Sequence, residues 1–342
     1  MKKYDVIIIG AGPGGLQCAE ALVQSGKSVL LLEKNKTIGS KVCAGGLTRK
    51  GIKLLDPPDE IVGNRFDSII FRNNKKKTRL LFGENFLYTI NREDLGQYQL
   101  NKLKNSPVEI RTSSIVTEIN KDCITVNKSE KIRFKYLVGA DGSNSMVRRH
   151  VGLKTKFIGV AFQYILPKND KYKDIEIFLD SKLFNSWYAW IFPHKDHISI
   201  GTGYFPKISS GRKTRKNFEI WLKRKGIDVS RGRFEACPLN CDYRGYKFDN
   251  VFLVGDAAGL VSGFTGEGIY QAVISGEVVA QKIINPSYRD TAIRNILRER
   301  NLHHFMLAVV FLFGPLRNII FSFIIFAVKS KLIARFLLRI LT

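Results

Sequence analysis

No apolar run in the sequence reaches the ~20 uninterrupted residues that a bilayer-spanning helix needs. The greasiest stretch, Phe305 to Val328, is interrupted by Gly314, Pro315, Arg317 and Asn318. No secretory leader is expected either, because the apolar run Val6 to Ile9 behind Met1-Lys2-Lys3 gives way at once to glycine. Cysteine is sparse and odd in number: Cys18, Cys43, Cys123, Cys237 and Cys241 follow no framework spacing. Reduced thiols in a cytoplasmic setting are therefore expected. Cys237-x-x-x-Cys241 has no second pair beside it, so no metal site is expected. Internal repeats and low-complexity linkers are absent. Acidic side chains are short in supply, 30 Asp plus Glu against 55 Lys plus Arg in 342 residues, a formal net charge of +25. That balance calls for an anionic partner or thorough solvation. Nucleic acid is set aside, because no base-stacking platform or DNA-reading motif accompanies the charge. An anionic membrane surface or a phosphorylated substrate remains.

What the chain does contain is a nucleotide-binding pattern. Tyr4 to Ile9 and Ser28 to Glu33 read as fully buried strands, with a helix from Gly14 to Gln24 between them. The first turn carries Gly10-x-Gly12-x-x-Gly15, with Gly14 in the helix start, and Glu33 ends the second strand at the expected distance. Gly10 permits the tight turn, Gly12 lets a pyrophosphate approach the helix N-terminus, and Gly15 allows close helix–strand packing. Glu33 is then suited to a ribose 2′-hydroxyl, with Lys34 beside it as a further cofactor contact. Two later corners choose FAD over NAD. One is Gly139-Ala140-Asp141-Gly142, the other Gly255-Asp256, which continues to Gly266-Glu267-Gly268. Each sets a carboxylate beside bare backbone, as a flavin polyol chain requires. The helix starting near Gly266 offers its positive end to an anionic reduced ring.

The rest of the pattern is β-rich. Phe66 to Phe71, Thr78 to Phe82 and Phe86 to Ile90 read as short strands, with a turn at Asn73-Asn74-Lys75. A helix follows from Arg92 to Leu103, capped by Asn91. Val108 to Asn120, Cys123 to Asn127 and Ile132 to Phe134 read as an antiparallel meander leading into Tyr136 to Gly139. Alternating strands run from Phe157 to Tyr204. Lys213 to Lys225 reads as a basic helix with Phe218, Ile220, Trp221 and Leu222 on its apolar side. His194 and His197 read as surface histidines at a turn. Lys329 to Leu341 mixes four cations with aliphatic residues, the pattern of a helix lying in anionic headgroups.

With these motifs stand Lys41-Val42-Cys43-Ala44-Gly45-Gly46-Leu47 and Tyr188-Ala189-Trp190-Ile191-Phe192-Pro193. On all of them together, residues 1 to 285 resemble the geranylgeranyl reductase family, in the p-hydroxybenzoate hydroxylase branch of the glutathione-reductase-type FAD superfamily. The fold expected is an α/β FAD-binding Rossmann-like domain (1–60, 92–154 and 246–285) with an inserted antiparallel β-sheet substrate domain (61–91 and 155–245). A C-terminal helical, hydrophobic tail (286–342) completes it. The resemblance implies hydrogenation of prenyl C=C bonds on a lipid, diphosphate or quinone, with Arg92 against the FAD phosphates. Cys43, Tyr188 and Trp190 are the catalytic candidates, and Gly45, Gly46, Phe192 and Pro193 the substrate-binding ones. No second GxGxxG is present, so NAD(P)H or ferredoxin would act as a transient reductant. A flavin monooxygenase of the same fold and a non-catalytic flavin-binding electron carrier are the alternatives. Cytoplasmic location with peripheral or monotopic membrane attachment is expected.

Overall fold

Strands that carry apolar residues on both faces fit only the middle of a covered sheet. Lys3–Ile9 and Val29–Leu32 take that place in the computed structural model, which describes residues 1–73 and 76–327. Asn74, Lys75 and the basic segment 329–341 lie outside the described residues. The two strands pair in parallel with each other and with Glu109–Arg111 and Glu130–Gly139, and Val251–Leu253 continues the order on the far side.

Two expectations need correction here. Ile132 to Phe134 and Tyr136 to Gly139 are one ten-residue strand, Glu130–Gly139. Its first half pairs antiparallel with Cys123–Val126, and its second half runs beside the buried centre of the parallel sheet. The expected strand 108–120 is two: Glu109–Arg111 joins the parallel sheet, and only Val116–Ile119 belongs to the meander.

Helices Pro13–Leu22 and Ile269–Ile284 cover one face and cross very closely. A Cβ on Gly276 would lie 2.2 Å from the Gly14 carbonyl oxygen, and one on Gly14 would lie 2.7 Å from that of Ala272. Only residues without side chains allow that approach.

A second, seven-stranded sheet runs in the order Arg233–Asn240, Ile158–Pro167, His197–Tyr204, Ala189–Pro193, Ile175–Phe178, Ser68–Asn73, Lys76–Leu81. All its pairs are antiparallel except Ile175–Phe178 with Ser68–Asn73, which is parallel. The expected strand 66–71 divides at Asp67. Val62–Phe66 goes to a small three-stranded sheet with Leu87–Ile90 and Gly46–Thr48, and Ser68–Asn73 goes to the large one. Arg233–Asn240 escaped the periodicity because Pro238 interrupts it, and proline is tolerated where this strand sits, at a sheet edge. Helix Gly211–Lys225 buries Phe218, Trp221 and Leu222 but turns Ile220 outward.

The C-terminal run forms two helices, Thr291–Leu312 and Arg317–Ala327, broken at Gly314 and Pro315 as the sequence suggests. Arg317 folds back on the helix that precedes it. Its Nε donates to the Val310 carbonyl (2.8 Å) and its Nη2 to that of Phe311 (3.2 Å), closing the end of the preceding helix. No described helix is long and apolar enough to cross a membrane.

Candidate active site

The glycine turn is fixed by sterics. Gly10 has φ +104°, and a Cβ there would come 2.4 Å from the Ala140 carbonyl oxygen. At Gly15 it would meet the Gly10 carbonyl oxygen at 2.0 Å, whereas around Gly12 there is open space. The cradle is thus closed on the protein side and free on the side where a pyrophosphate would approach. Glu33 is buried and held by backbone amides, with Oε2 accepting from Ala11 N and Oε1 from Asn35 N, each at 2.9 Å. Lys34, next to it, is exposed.

Arg92 opens its helix, and Asn91 Oδ1 caps the first turn through Glu93 N (2.8 Å). The guanidinium is buried, yet its Nη1 has no hydrogen-bond partner. Burying an unpaired donor is costly, and a phosphate oxygen supplies what is missing. This orphaned donor and the free approach over Gly12 fit the diphosphate of FAD.

Asp141 has a second duty that its motif does not reveal. Its Oδ2 accepts from Met146 N (2.6 Å) and Val147 N (3.2 Å), holding the first turn of helix Met146–His150. Its Oδ1 is buried without a partner, and burial pushes the carboxyl above its ordinary range. Gly142 beside it has φ +79° and Gly255 φ +54°, conformations that side chains disfavour. Asp256 Oδ2 accepts from Lys41 Nζ (2.7 Å) and Ser143 Oγ (2.9 Å). Desolvation works against the Lys41 charge, but the Asp256 carboxylate outweighs it and raises the ammonium above its usual value. Gly266, at φ +75°, and Gly268 border the same space. Glu267 is engaged, accepting from Thr48 Oγ1 (2.7 Å) and Gln271 Nε2 (3.2 Å).

From this polar end, at Lys41, Arg92 and Asp256, a cavity of about 340 Å³ passes Cys43 and runs to an apolar end at Ile69, Phe71, Leu80 and Phe321. Tyr188, Trp190 and Phe192 line it, while the intervening Ala189 and Ile191 pack into the core behind. Tyr188 Oη donates to the Thr265 carbonyl at 2.6 Å, and burial pushes its phenol upward. The Trp190 indole N–H donates to Ser199 Oγ at 2.9 Å. Cys43 is half-buried, its Sγ accepting from Gly45 N at 3.3 Å. The loop is tight: a Cβ on Gly45 would meet the His194 ring at 2.4 Å, and one on Gly46 would meet Phe192 at 2.8 Å.

Pro193, expected at the substrate, borders a separate polar cleft that includes Arg79 and Lys173. Its carbonyl accepts from Asn64 Nδ2 at 3.1 Å. His194 is not a surface residue. It is buried, stacked on His197 with ring centroids 4.0 Å apart, and its Nε2 donates to the Ala44 carbonyl at 2.9 Å. Burial and then His197 push it down to about 4. Sequence reasoning also missed Lys41, Gln163 and Ser199. The available signal was Gln163 itself, an amide inside an otherwise apolar strand.

Residues 3–167 match the family described as FAD binding domain. An uncharacterised protein of Methanosarcina barkeri is 31% identical over 293 residues, covering 83% of this chain and 75% of that protein. The digeranylgeranylglycerophospholipid reductase of Methanocaldococcus jannaschii is 27% identical, with 88% of this chain and 83% of the relative aligned. A geranylgeranyl bacteriochlorophyll reductase-like structure from Thermoplasma acidophilum shares the fold, with TM-score 0.83 at 20% identity over 97% of this chain and 92% of that one. Relatives named as geranylgeranyl diphosphate or digeranylgeranylglycerophospholipid reductases align over more than four-fifths of this chain, well beyond the 3–167 of the FAD-binding match. By that measure the chain belongs to the geranylgeranyl reductase family, FAD-dependent oxidoreductases that act on carbon–carbon bonds.

Proposed function

We propose that the chain hydrogenates C=C bonds of a geranylgeranyl-type prenyl chain carried on a lipid, diphosphate or quinone. The apolar row across the large sheet supports this best. Trp190, Ile177 and Phe71 stand in register on three neighbouring strands and line one cavity, which begins at the cofactor cradle. In this reading segments 1–60, 92–154 and 246–285 hold the cofactor, and 61–91 with 155–245 hold the substrate.

Reduced FAD, when bound, supplies hydride from N5 to one alkene carbon. Gly10, Gly12, Gly14 and Gly15 bring the backbone to its diphosphate, and Arg92 pairs with the phosphate charge. Glu33 receives the ribose hydroxyl on its remaining lone pairs. As the alkene takes a proton at its other carbon, positive charge builds at the carbon that receives the hydride, and the faces of Tyr188, Trp190 and Phe192 stabilise it. The proton is assigned to the Cys43 thiol. Tyr188 Oη already donates to Thr265, so its part is to line the cavity. Gly45 and Gly46 keep the Cys43 loop thin enough for the chain to pass. NAD(P)H or ferredoxin would recharge the flavin transiently.

Membrane association completes the proposal. Met306, Val310 and Phe321 line the cavity from the two C-terminal helices, while Phe305, Leu312 and Ile319 on the same helices, with Leu316 in the turn between them, face outward. From Asn301 onward the sequence has five Lys plus Arg and no Asp or Glu. An apolar stripe on a stretch of sequence whose charges are all cationic suits an anionic lipid surface.

Anaerobic incubation of dithionite-reduced holoprotein with geranylgeranyl diphosphate or a geranylgeranylated glycerophospholipid tests the reaction. Mass gains in two-dalton steps support it. Holoprotein that leaves every prenyl substrate unreduced fits the carrier alternative, and product that forms only with oxygen fits the monooxygenase.

A further inference from the structure

Gln163 belongs to none of the motifs that brought the cofactor or substrate residues together. It lies on strand Ile158–Pro167, is 2% exposed, and reaches the cavity wall. Every polar atom of its amide is used. Its Nε2 donates to the Cys43 carbonyl (3.0 Å) and to Glu235 Oε2 (2.9 Å), and its Oε1 accepts from Ser199 Oγ (2.8 Å). Ser199 is fully buried and accepts from the Trp190 indole N–H at 2.9 Å. This pattern fixes the amide orientation. A flipped amide would face its oxygen to a carbonyl and a carboxylate, neither of which can donate.

The backbone register explains why the chain of bonds fits. Gln163, Gly201 and Trp190 are direct neighbours across three strands. A Cβ on Gly201 would lie 2.3 Å from the Trp190 ring, so the glycine leaves room for the indole to lie flat toward Gln163.

We infer that Gln163 is a positioning residue that couples the Cys43 loop to Trp190 through Ser199. It fixes the Cys43 loop and the indole relative to one another on the cavity wall. The inference rests on reading Cys43 and Trp190 as groups of the reacting site, but the coupling is measurable without any substrate. Fully satisfied buried networks rigidify what they touch, and loss of one member leaves the others unpaired. The hydrogen bonds that lead from Ser199 to the Cys43 loop run through Gln163.

Pulsed alkylation of the FAD-loaded full chain with iodoacetamide, resolved by peptide mass spectrometry, reports each cysteine separately. Gln163→Leu and Ser199→Ala are expected to speed Cys43 labelling about tenfold, the size of one lost buried hydrogen bond. Cys18 and Cys241 should stay as protected as in the parent. Ser199→Thr, which keeps the hydroxyl, should restore slow labelling. Unchanged Cys43 labelling in both variants overturns the inference. So does parallel exposure of Cys18 and Cys241, which signals general loosening. Acceleration in Gln163→Leu alone overturns the link to Trp190. A protein that shows the expected labelling yet reduces no prenyl substrate keeps the coupling and loses the proposed reaction.

Discussion

The Lys41 ammonium sits 2.7 Å from the Asp256 carboxylate, joining residues 215 positions apart at the polar end of the cavity. Ser143 donates to the same oxygen, so three segments far apart in sequence meet on one carboxylate. A bare carboxylate near a flavin diphosphate would repel it, and Lys41 offsets that charge. Lys41→Met is therefore expected to weaken FAD binding about tenfold, read by fluorescence titration of apoprotein. Lys41→Arg should bind FAD closer to the parent. Unchanged FAD affinity in Lys41→Met would remove Lys41 from the cofactor site.

Gly12 and Gly276 make different demands on the same helix. Around Gly12 a methyl group meets nothing, while on Gly276 it would press to 2.2 Å against Gly14 O. Gly12→Ala should therefore leave the apoprotein Tm unchanged and lower FAD retention. Gly276→Ala should lower the Tm, costing about 1–3 kcal/mol by forcing two packed helices apart. Thermal unfolding and the flavin-to-protein absorbance ratio separate the two. A Gly12→Ala protein that keeps full FAD would contradict the cradle as described.

The glycine turns were legible because each one meets a demand that only a single residue type satisfies, such as φ +104° at Gly10. The alternation of Tyr188, Trp190 and Phe192 was legible for a similar local reason, since a strand turns successive side chains to opposite faces. What escaped depends on distant partners. Glu130–Gly139 changes from antiparallel to parallel neighbours along its length, and nothing within the strand records who pairs with it. His194 follows a proline at a turn and looks solvent-facing, yet the Gly45 loop from the other end of the chain covers it.

His194 makes stability depend on pH. Its pKa falls from 6.5 to about 4 in the folded state, driven by burial and then by the stacked His197. Between these values the unfolded chain binds a proton that the native one does not. The contribution is therefore complete above pH ~6.5 and is lost as pH falls toward 4, a loss on the order of 3 kcal/mol. His194→Gln keeps a donor for Ala44 O but cannot titrate. The drop in unfolding free energy between pH 7 and pH 4.5 should be smaller in this variant than in the parent. Equal drops would show that His194 is not held neutral.

Phe305, Leu312 and Ile319 are 66%, 84% and 65% exposed. Removing them should not disturb the core, but it should remove a membrane-seating stripe. Phe305→Glu, Leu312→Glu and Ile319→Glu together are expected to cut co-sedimentation with phosphatidylglycerol vesicles at least about tenfold at unchanged Tm. Added salt should weaken parent binding, because cations accompany the stripe. A parent protein that ignores anionic vesicles would sink the membrane reading.

The register across the large sheet offers a ruler for chain length. Gly201, Trp190, Ile177 and Phe71 follow one another on successive strands, spaced about 4.8 Å apart. Gly201 lies under the indole near the cofactor end, and Phe71 lies toward the far apolar end. Bulk added at the two ends should act differently. Phe71→Trp shortens the channel beyond the reacting bond, so kcat/KM should fall about tenfold or more for geranylgeranyl diphosphate while geranyl diphosphate is largely spared. Gly201→Val pushes against Trp190, which every substrate must pass, so all chain lengths should suffer alike. Competition assays with geranyl, farnesyl and geranylgeranyl diphosphates read the difference directly. Uniform loss in Phe71→Trp would mean that the prenyl tail does not run along this row.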